Sequence, residues 1–201
     1  MKKILLTIIP LFALLLVAYK PSGELPIGAI MPKADIKMKD VSGKEVSLKD
    51  AKQKKGLLVM FSCNTCPYVV KNQQRTLDLA SYAKKNNIGV ILLNANEGSR
   101  NGEDSFEEMK AYAKKQQYSF YYAIDKNSEL ADAFGANRTP ESFLFDENDK
   151  LVYHGAIDDN PSNASAVEKT HLKNAIDLMV SGKEVVVNKT RSVGCTIKRP
   201  K

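Results

Sequence analysis

Two of the three cysteines in this chain stand close together, in a pattern that favours thiol chemistry. Cys63 and Cys66 lie in "FSCNTCPYVV", directly after the apolar run 57–61. That run predicts a strand buried on both faces, and the pattern of residues 64–84 predicts a helix. The unpaired N–H groups and the dipole at the start of a helix stabilise a thiolate. A spacing of three residues places both sulfurs on one side of the first turn, within reach of a disulfide bond.

The position of each cysteine predicts its role. Cys63 is expected at or near the N-cap, as an exposed nucleophile with a lowered pKa, and Cys66 one turn into the helix, as a shielded resolving thiol. Pro67 is compatible with the first turn, because N–H groups there have no acceptor within the helix. The third cysteine, Cys195, lies in "GCTIK" near the end of the sequence. We expect the tail to fold back so that Cys195 exchanges with Cys63 or Cys66.

The composition is typical of one globular domain. The chain has 201 residues, of which 43% are hydrophobic and 26% charged, and its net charge is +7. This length supports one well-packed domain and is short for two. Lysines alternate with acidic residues along the helical stretches, and the sequence has no basic stripe with interleaved aromatic residues. We therefore expect no nucleic-acid partner.

The first twenty residues differ in character from the rest of the chain. Two lysines follow Met1, and residues 4–18 are then apolar apart from one threonine and one proline. This stretch has the length of the hydrophobic region of a signal peptide and is shorter than the roughly 20 residues of a membrane span. We predict that residues 1–20 are a signal peptide or an N-terminal membrane anchor. The protein is accordingly expected to be exported, to the periplasm or cell envelope, either soluble or anchored through residues 4–18.

The order of the remaining elements predicts an α/β fold with a central mixed sheet flanked by helices. Strands alternate with helices in the first part, and a hairpin of strands 142–146 and 150–155 and a last helix follow. One domain is expected over residues 21–182. A tail over residues 183–201 carries Cys195.

The helix that follows Cys66 is expected to have one buried face and one face exposed to solvent. The helical period places four apolar residues on the buried face: Val70, Leu77, Ala80 and Ala83. Lys71 and Arg75, four residues apart, are expected to belong to a solvated surface.

Four motifs together resemble those of a known family: "VMFSCNTCPYV", "RTPESFLFD", "KLVYHGAIDD" and "GCTIK". The chain is similar to the thioredoxin-like superfamily, and most closely to its redoxin branch, the alkyl hydroperoxide reductase/thiol-specific antioxidant-like proteins, with a CxxCP active site. The resemblance implies a thioredoxin-like fold and a thiol–disulfide oxidoreductase that uses Cys63 and Cys66 and needs no metal or organic cofactor. Its implied partners are disulfide or thiol groups of proteins or small molecules and a redox partner protein. It also implies that Thr139 and Pro140 form a cis-proline loop that shapes the substrate groove.

Two features depart from the resemblance. Thioredoxin-like proteins often place a buried carboxylate near the CxxC pair, but the strand before Cys63 contains no acidic residue. Asp35, Glu45 and Glu141 are the candidates for that proton acceptor. Peroxiredoxins use Pro-x-x-x-Thr/Ser-x-x-Cys, a motif that neither Cys63 nor Cys66 completes. Peroxide reduction through that motif is therefore not expected, and an atypical peroxiredoxin-like antioxidant protein is kept as an alternative.

Metal binding is the alternative from another functional class. Cys63, Cys66 and Cys195 could form a zinc site with His154 or His171, although a second closely spaced pair of ligands is missing. The CxxC pair with a distal histidine could also bind Cu(I), which prefers thiolate ligands. A structural disulfide without turnover is a further interpretation of the same pair. Each histidine on its own is more often a surface residue than a ligand.

Overall fold

The computed structural model describes residues 23–200, so the predicted signal peptide or anchor at residues 1–20 lies outside the described part of the chain. The strands are β1 (Met38–Lys39), β2 (Glu45–Val46), β3 (Gly56–Ser62), β4 (Ile88–Asn94), β5 (Tyr121–Ile124), β6 (Arg138–Thr139), β7 (Glu141–Phe145), β8 (Leu151–Gly155) and β9 (Cys195–Thr196). The helices are α1 (Leu48–Ala51), α2 (Pro67–Lys71), α3 (Gln73–Lys85), α4 (Phe106–Lys115), α5 (Glu129–Phe134) and α6 (His171–Val180). Within residues 23–200, no helix combines the length and the apolar character needed to cross a bilayer.

A five-stranded sheet with the order β5-β4-β3-β7-β8 forms the centre of the molecule. β3 pairs in parallel with β4 and antiparallel with β7, and β8 closes the hairpin with β7. All residues of β3 and β4 are buried, as expected for continuous apolar strands covered on both faces. This arrangement confirms the predicted α/β fold with a central mixed sheet.

The sheet separates two apolar clusters, each covered by helices. On one face, α1 and α5 pack against an aromatic group in which the Phe61 ring lies 5.6 Å from Phe134 and 5.7 Å from Phe143, edge to face. On the other face, α3, α4 and α6 cover a cluster that includes Met60 and Tyr122. Because Met60 and Phe61 are neighbours in β3, their side chains point to opposite faces and hold both layers to one strand.

The long helix expected after Cys66 is interrupted at Asn72. This residue ends α2 and caps α3, with φ −94° and ψ 1°, so the helical phase shifts between the two segments. Val70 is consequently 54% exposed and Leu77 only half-buried, contrary to the prediction. The buried face is instead formed by Val69, Thr76, Leu79, Ala80 and Ala83. The predicted positions of Ala80 and Ala83 are confirmed.

Local sequence signals explain where two of the other helices begin and end. The Ser105 side chain accepts a hydrogen bond from the Glu108 N–H and caps α4. Gly135 ends α5 with φ +67°, a conformation that favours glycine. A Cβ atom at Gly135 would also lie 2.5 Å from the carbonyl oxygen of Gly23, so this position admits no side chain.

Candidate active site

Both cysteines of the CxxC pair lie at the carboxyl end of β3, the central strand. Cys63 follows the last residue of β3, and Cys66 is the N-cap of α2, with φ −63° and ψ 123°. Pro67 is the first residue of the helix, as predicted. Because proline disfavours helical geometry in the residue before it, Cys66 is extended and the helix begins after it. The prediction that Cys66 lies one turn into the helix is therefore wrong: Cys66 caps the helix and Cys63 precedes it.

The two sulfur-bearing side chains are buried. Cys63 is 2% exposed and Cys66 is 3% exposed. They form a small apolar cluster with Val69, against which Tyr68 and Cys195 pack. The exposed nucleophile expected at Cys63 is therefore not found in this arrangement, and part of the cover is supplied by the tail.

The loop that leads into β7 contacts both sulfurs. The peptide bond between Thr139 and Pro140 is cis. The Thr139 hydroxyl lies 3.4 Å from Cys63 Sγ. The Thr139 carbonyl oxygen lies 3.1 Å from Cys66 Sγ and accepts a hydrogen bond from this thiol when it is protonated. Residues 139 and 140 thus lie where the family resemblance places them, directly beside the cysteine pair.

The tail folds back onto the same loop. β9 pairs antiparallel with β6, so that Cys195 stands opposite Thr139 and Thr196 opposite Arg138. The sulfur of Cys195 lies 2.7 Å from that of Cys66. All three cysteines are free thiols. The structure therefore brings Cys195 to the pair, and its exchange with them remains a prediction.

Hydrogen bonds among the three thiols shift their pKa values in opposite directions. The pKa of Cys66 falls to about 4, chiefly because the Cys63 thiol donates a hydrogen bond to it, with further donation from Cys195. The same hydrogen bond, together with burial, raises the pKa of Cys63 far above its ordinary value. Burial and the neighbouring Cys66 raise the pKa of Cys195 to about 11. In this arrangement Cys66 therefore has the lowered pKa of the three thiols, whereas the sequence predicts the lowered pKa at Cys63.

A network of buried polar side chains holds the segment between the two cysteines. One oxygen of the Asp104 carboxylate accepts the backbone N–H of Asn64 at 3.0 Å and the side-chain amide of Asn94 at 2.7 Å. The other oxygen accepts the amide of Asn96 at 2.9 Å. The Tyr122 hydroxyl donates to the Asn64 side chain at 2.9 Å. Asp104 and Tyr122 are fully buried, so these bonds fix the turn from β3 into α2.

Asp104 is the buried carboxylate near the CxxC pair that sequence reasoning missed. It contributes, after larger effects, to the raised pKa of Cys63 because two negative charges would be close together. The residue lies in the polar loop after β4, and β3 and β4 are parallel neighbours. Because the carboxyl ends of parallel strands meet at one edge of a sheet, this loop was the place to search for an acid.

The acids that the sequence offers for this position lie elsewhere. The side chain of Asp35 is 80% exposed and forms an ion pair with Lys49, and Glu45 is exposed. Glu141 is buried, but one of its carboxylate oxygens accepts the backbone N–H groups of Asn137 and Arg138 at 2.8 Å each. Its role is therefore to hold the loop before Pro140 rather than to meet the sulfurs.

The histidines are not gathered around the cysteines. His154, expected on the surface, is 2% exposed; its Nε2 lies 2.7 Å from Glu141, and its ring stacks on Phe143. Glu24 lies 3.8 Å from the other ring nitrogen. Over residues 23–200, one group of three potential ligand atoms lies within 4.8 Å of one another: Glu24, Glu141 and His154. The zinc set of three cysteines and a histidine is not assembled, and His171 begins α6.

Arg75 also differs from its expected solvated position. Its guanidinium forms an ion pair with Asp158 and donates to the carbonyl oxygen of Asn160 at 2.9 Å. The Arg75 side chain is only 15% exposed. This cation therefore joins α3 to the loop after β8, while Lys71 remains exposed as expected.

A dithiol at the end of the central strand, with a cis-proline loop beside it, defines a protein of the thioredoxin-like class. Comparison with known proteins gives the family. The chain belongs to the Redoxin family, which matches residues 26–176. The resemblance drawn from the motifs is thereby confirmed at the level of the family and of the fold.

Individual relatives agree with this assignment. The chain is 29% identical over 113 residues to the thiol-disulfide oxidoreductase ResA of Bacillus thuringiensis subsp. konkukian (strain 97-27), a match that covers 56% of this chain and 61% of that protein. The chain thus spans about three fifths of the length of the curated relatives that it matches.

Solved structures extend the similarity to nearly the whole chain. A hypothetical protein from Sinorhizobium meliloti 1021 is 32% identical, with a TM-score of 0.80, over 89% of this chain and 97% of that one. An uncharacterised conserved protein from Geobacillus kaustophilus is 33% identical, with a TM-score of 0.80, over 87% and 93% of the two chains. A putative thiol:disulfide interchange protein DsbE from Chlorobium tepidum, 18% identical with a TM-score of 0.58 over 78% and 99%, shares the fold.

Proposed function

We propose that this protein is a thiol–disulfide oxidoreductase whose redox centre is the pair Cys63 and Cys66. The observation that carries the proposal is the contact of one residue, Thr139, with both free thiols, through its hydroxyl to Cys63 and its carbonyl group to Cys66. Thr139 is buried and directly precedes Pro140. The name of the ResA relatives supports the same reaction class.

The reaction proceeds by two exchanges at sulfur. The thiolate of Cys63 attacks one sulfur of a substrate disulfide, forming a mixed disulfide and releasing the other substrate sulfur as a thiolate, which takes up a proton. The thiolate of Cys66 then attacks Cys63 Sγ, which forms the bond between Cys63 and Cys66 and releases the second substrate thiolate. The substrate is reduced by two electrons and the protein is oxidised by two. The reverse sequence oxidises a dithiol substrate.

Attack by Cys63 requires a change from the arrangement in the structure. With the tail in place, Cys63 is buried and its pKa is raised, while the pKa of Cys66 is lowered. Removal of Cys195 from Cys66 takes away one hydrogen-bond donor to that thiolate. In the proposal, Cys63 becomes the protein's nucleophile once the tail has left the pair.

The finer assignments rest on the sequence. Disulfide or thiol groups of proteins or small molecules are the proposed substrates, and a separate redox protein is the proposed partner. The lysines and the apolar stretch within residues 1–20 support export to the periplasm or cell envelope. The pair is proposed to work without a metal or organic cofactor.

Reduction of insulin disulfides by the full chain, with dithiothreitol as electron donor, tests the proposal. Cys63→Ser and Cys66→Ser are each expected to abolish turnover, because each removes one of the two sulfurs of the cycle. Cys66→Ser should accumulate a mixed disulfide with the substrate through Cys63, visible as an adduct by mass spectrometry. An adduct that forms instead on Cys66 in the Cys63→Ser variant would reverse the two roles.

A metal titration, run beside this assay, distinguishes the oxidoreductase from the alternative, a metal-binding module. Cu(I) and Zn(II) are added to the reduced chain, and binding is followed with a competing chelator. Turnover without tight metal binding supports the oxidoreductase. Tight binding of either ion by a wild-type chain that shows no turnover would overturn it in favour of a metal-binding module. Assaying hydroperoxide consumption in the same preparations tests the peroxiredoxin-like alternative.

A further inference from the structure

The C-terminal strand occupies the edge of the proposed redox site. We propose that residues 194–196 are a tethered occupant of the substrate groove, and that Cys195 is a third redox thiol that forms an alternative disulfide with Cys66. This inference rests on the proposed function of the CxxC pair. It goes further by assigning the tail both a chemical step and control over access to Cys63.

The first observation is the fit of the tail against the cis-proline loop. Cys195 is paired with Thr139, the residue before Pro140. Gly194 makes this approach feasible, because a Cβ atom there would lie 2.1 Å from the Thr139 carbonyl oxygen. Real Cβ atoms do not approach a backbone oxygen so closely, so only glycine allows the strand to lie here.

The second observation is that the tail is anchored after Cys195. Ile197 is 3% exposed within the aromatic cluster, and its N–H donates to the Asn137 carbonyl oxygen at 3.1 Å. The N–H of Lys198 donates to Asn96 at 2.9 Å, and the Gly98 N–H donates to the Lys198 carbonyl oxygen at 2.8 Å. The loops that carry these partners, 94–104 and 135–139, are the ones that border the redox site.

The tail is also held before Cys195. The His154 N–H in β8 donates to the Asn188 carbonyl oxygen at 2.9 Å, and the Thr190 N–H donates back to His154 at 3.0 Å. A Cβ atom at Gly155 would lie 2.2 Å from the Thr190 hydroxyl oxygen, so the tail approaches β8 at Gly155 about as closely as Gly194 approaches Thr139. The tail is therefore bound to the rest of the protein both before and after Cys195, and these contacts fix the position of Cys195.

The third observation is the order of the sulfurs. Cys66 Sγ lies 2.7 Å from Cys195 Sγ, and Thr139 contacts both Cys63 and Cys66. The three sulfurs are not all within 4.8 Å of one another, since among the described residues only Glu24, Glu141 and His154 form such a group. Cys66 is therefore the sulfur shared between the other two. In the proposal it forms two alternative disulfides, Cys63–Cys66 and Cys66–Cys195.

The two disulfides interconvert without an external oxidant. The thiolate of Cys195 attacks Cys66 Sγ in the Cys63–Cys66 disulfide, the Cys66–Cys195 bond forms, and Cys63 leaves as a thiolate. The proton that Cys195 gave up passes to Cys63. The reverse attack, by Cys63 on Cys66, frees the tail. The exchange involves no net oxidation or reduction. It switches the protein between a form in which Cys195 is a free thiol and a form in which the C-terminal strand is covalently fixed over the pair.

Disulfide mapping of the oxidised full chain is the first test. Free thiols are alkylated at low pH, and the linked peptides are identified by mass spectrometry after digestion. Wild type should contain both Cys63–Cys66 and Cys66–Cys195. Cys63→Ser should contain only the latter, and Cys195→Ser only the former. Wild type with Cys63–Cys66 alone and with Cys195 fully alkylated would overturn the proposal, as would a dominant Cys63–Cys195 bond.

A glycine variant separates the docked strand from the thiol. Gly194→Ala places a Cβ atom against Thr139 and should undock the strand while keeping Cys195, whereas Gly23→Ala, where a Cβ atom meets nothing within 4 Å, is the matched control. The substrate is a disulfide-linked dimer of a peptide with the sequence of residues 191–198. Because a tethered segment competes at about millimolar effective concentration, KM for this peptide should fall about tenfold in Gly194→Ala and stay unchanged in the control. Equal KM values and equal alkylation of Cys195 in Gly194→Ala and wild type would contradict docking.

The two proposals fail in different ways. In one case neither wild type nor any variant reduces a disulfide, while the Cys66–Cys195 bond forms in wild type and is lost in Gly194→Ala. The proposed function is then wrong, and the proposed disulfide between the tail and Cys66 is supported. If wild type turns over insulin while Cys195 remains a free thiol in every oxidised sample, the redox role of the tail fails alone. Circular dichroism of each variant confirms that the comparison is made on folded protein.

Discussion

Cys66 is the residue on which the chemistry of this protein converges. As the N-cap of α2, it lies where helical N–H groups favour negative charge, and the neighbouring thiols of Cys63 and Cys195 stabilise its thiolate form. Simple spacing assigns the lowered pKa to Cys63, because the sequence shows the helix but not where its first turn begins. The residue before a proline is disfavoured in a helix, and this places the cap at Cys66.

Removing either donor thiol should raise the pKa of the Cys66 thiol. Cys63→Ala is expected to raise it most, because the hydrogen bond from Cys63 is the largest cause of the lowered value, and Cys195→Ala less. The pH dependence of thiolate absorbance in the ultraviolet, measured on each reduced variant, gives the titration. A midpoint near 4 that stays unchanged in both variants would show that these thiols do not stabilise the charge.

The lowered pKa of Cys66 also makes the stability of the reduced protein depend on pH. An unfolded thiol titrates near its ordinary value of 9, whereas the folded Cys66 titrates at about 4, so between these values the unfolded state binds more protons. The free energy of unfolding should therefore rise with pH from about 4 towards 9 and be lost again as pH falls through 4. Urea denaturation of reduced wild type and Cys66→Ala at several pH values measures the contribution. Parallel curves for the two proteins would contradict it.

At the scale of the elements, the loop after β4 supports the redox turn. The buried carboxylate of Asp104 accepts hydrogen bonds from the backbone N–H of Asn64 and from two side-chain amides. Asp104 and Asn64 are 40 residues apart in the sequence. Short-range patterns contain no sign of such a contact. The strand β3 and its parallel neighbour β4 were predictable because each is a largely apolar run, and the hairpin of β7 and β8 because a Glu-Asn-Asp turn joins two strand-like stretches.

Asp104→Ala should destabilise the fold by about 3 kcal/mol, because it leaves several buried donors without an acceptor. Asp35→Ala is the matched control: its carboxylate is exposed and forms a surface ion pair with Lys49, so a change within about 0.5 kcal/mol is expected. Urea denaturation of the oxidised proteins compares the two free energies of unfolding. Equal losses in both variants would show that the buried network does not hold the turn.

At the scale of the whole molecule, the fold follows from the sequence more readily than the site does. Periodicity predicts the sheet, its central strand and the helices on both faces, because these depend on neighbouring residues. The broken helix at Asn72, the two-residue pairing of β6 with β9 and the position of Asp104 depend on contacts between distant segments. The motif resemblance supplied the link between Thr139 and the cysteines. The return of the tail to the pair was expected from the sequence, whereas its strand pairing with β6 required the folded chain.

The most direct test of the central claim is the redox equilibrium of the Cys63 and Cys66 pair in the full chain. The protein is equilibrated in buffers of reduced and oxidised dithiothreitol or glutathione, its free thiols are alkylated, and the modified cysteines are identified by mass spectrometry. In the Cys195→Ser variant, where the tail cannot compete for Cys66, we predict one reversible two-electron transition in which both cysteines change together, with about 30 mV per tenfold change in the dithiothreitol ratio. A Cys63 that remains a free thiol in every buffer, or a pair that oxidises and cannot be reduced again, would contradict the account.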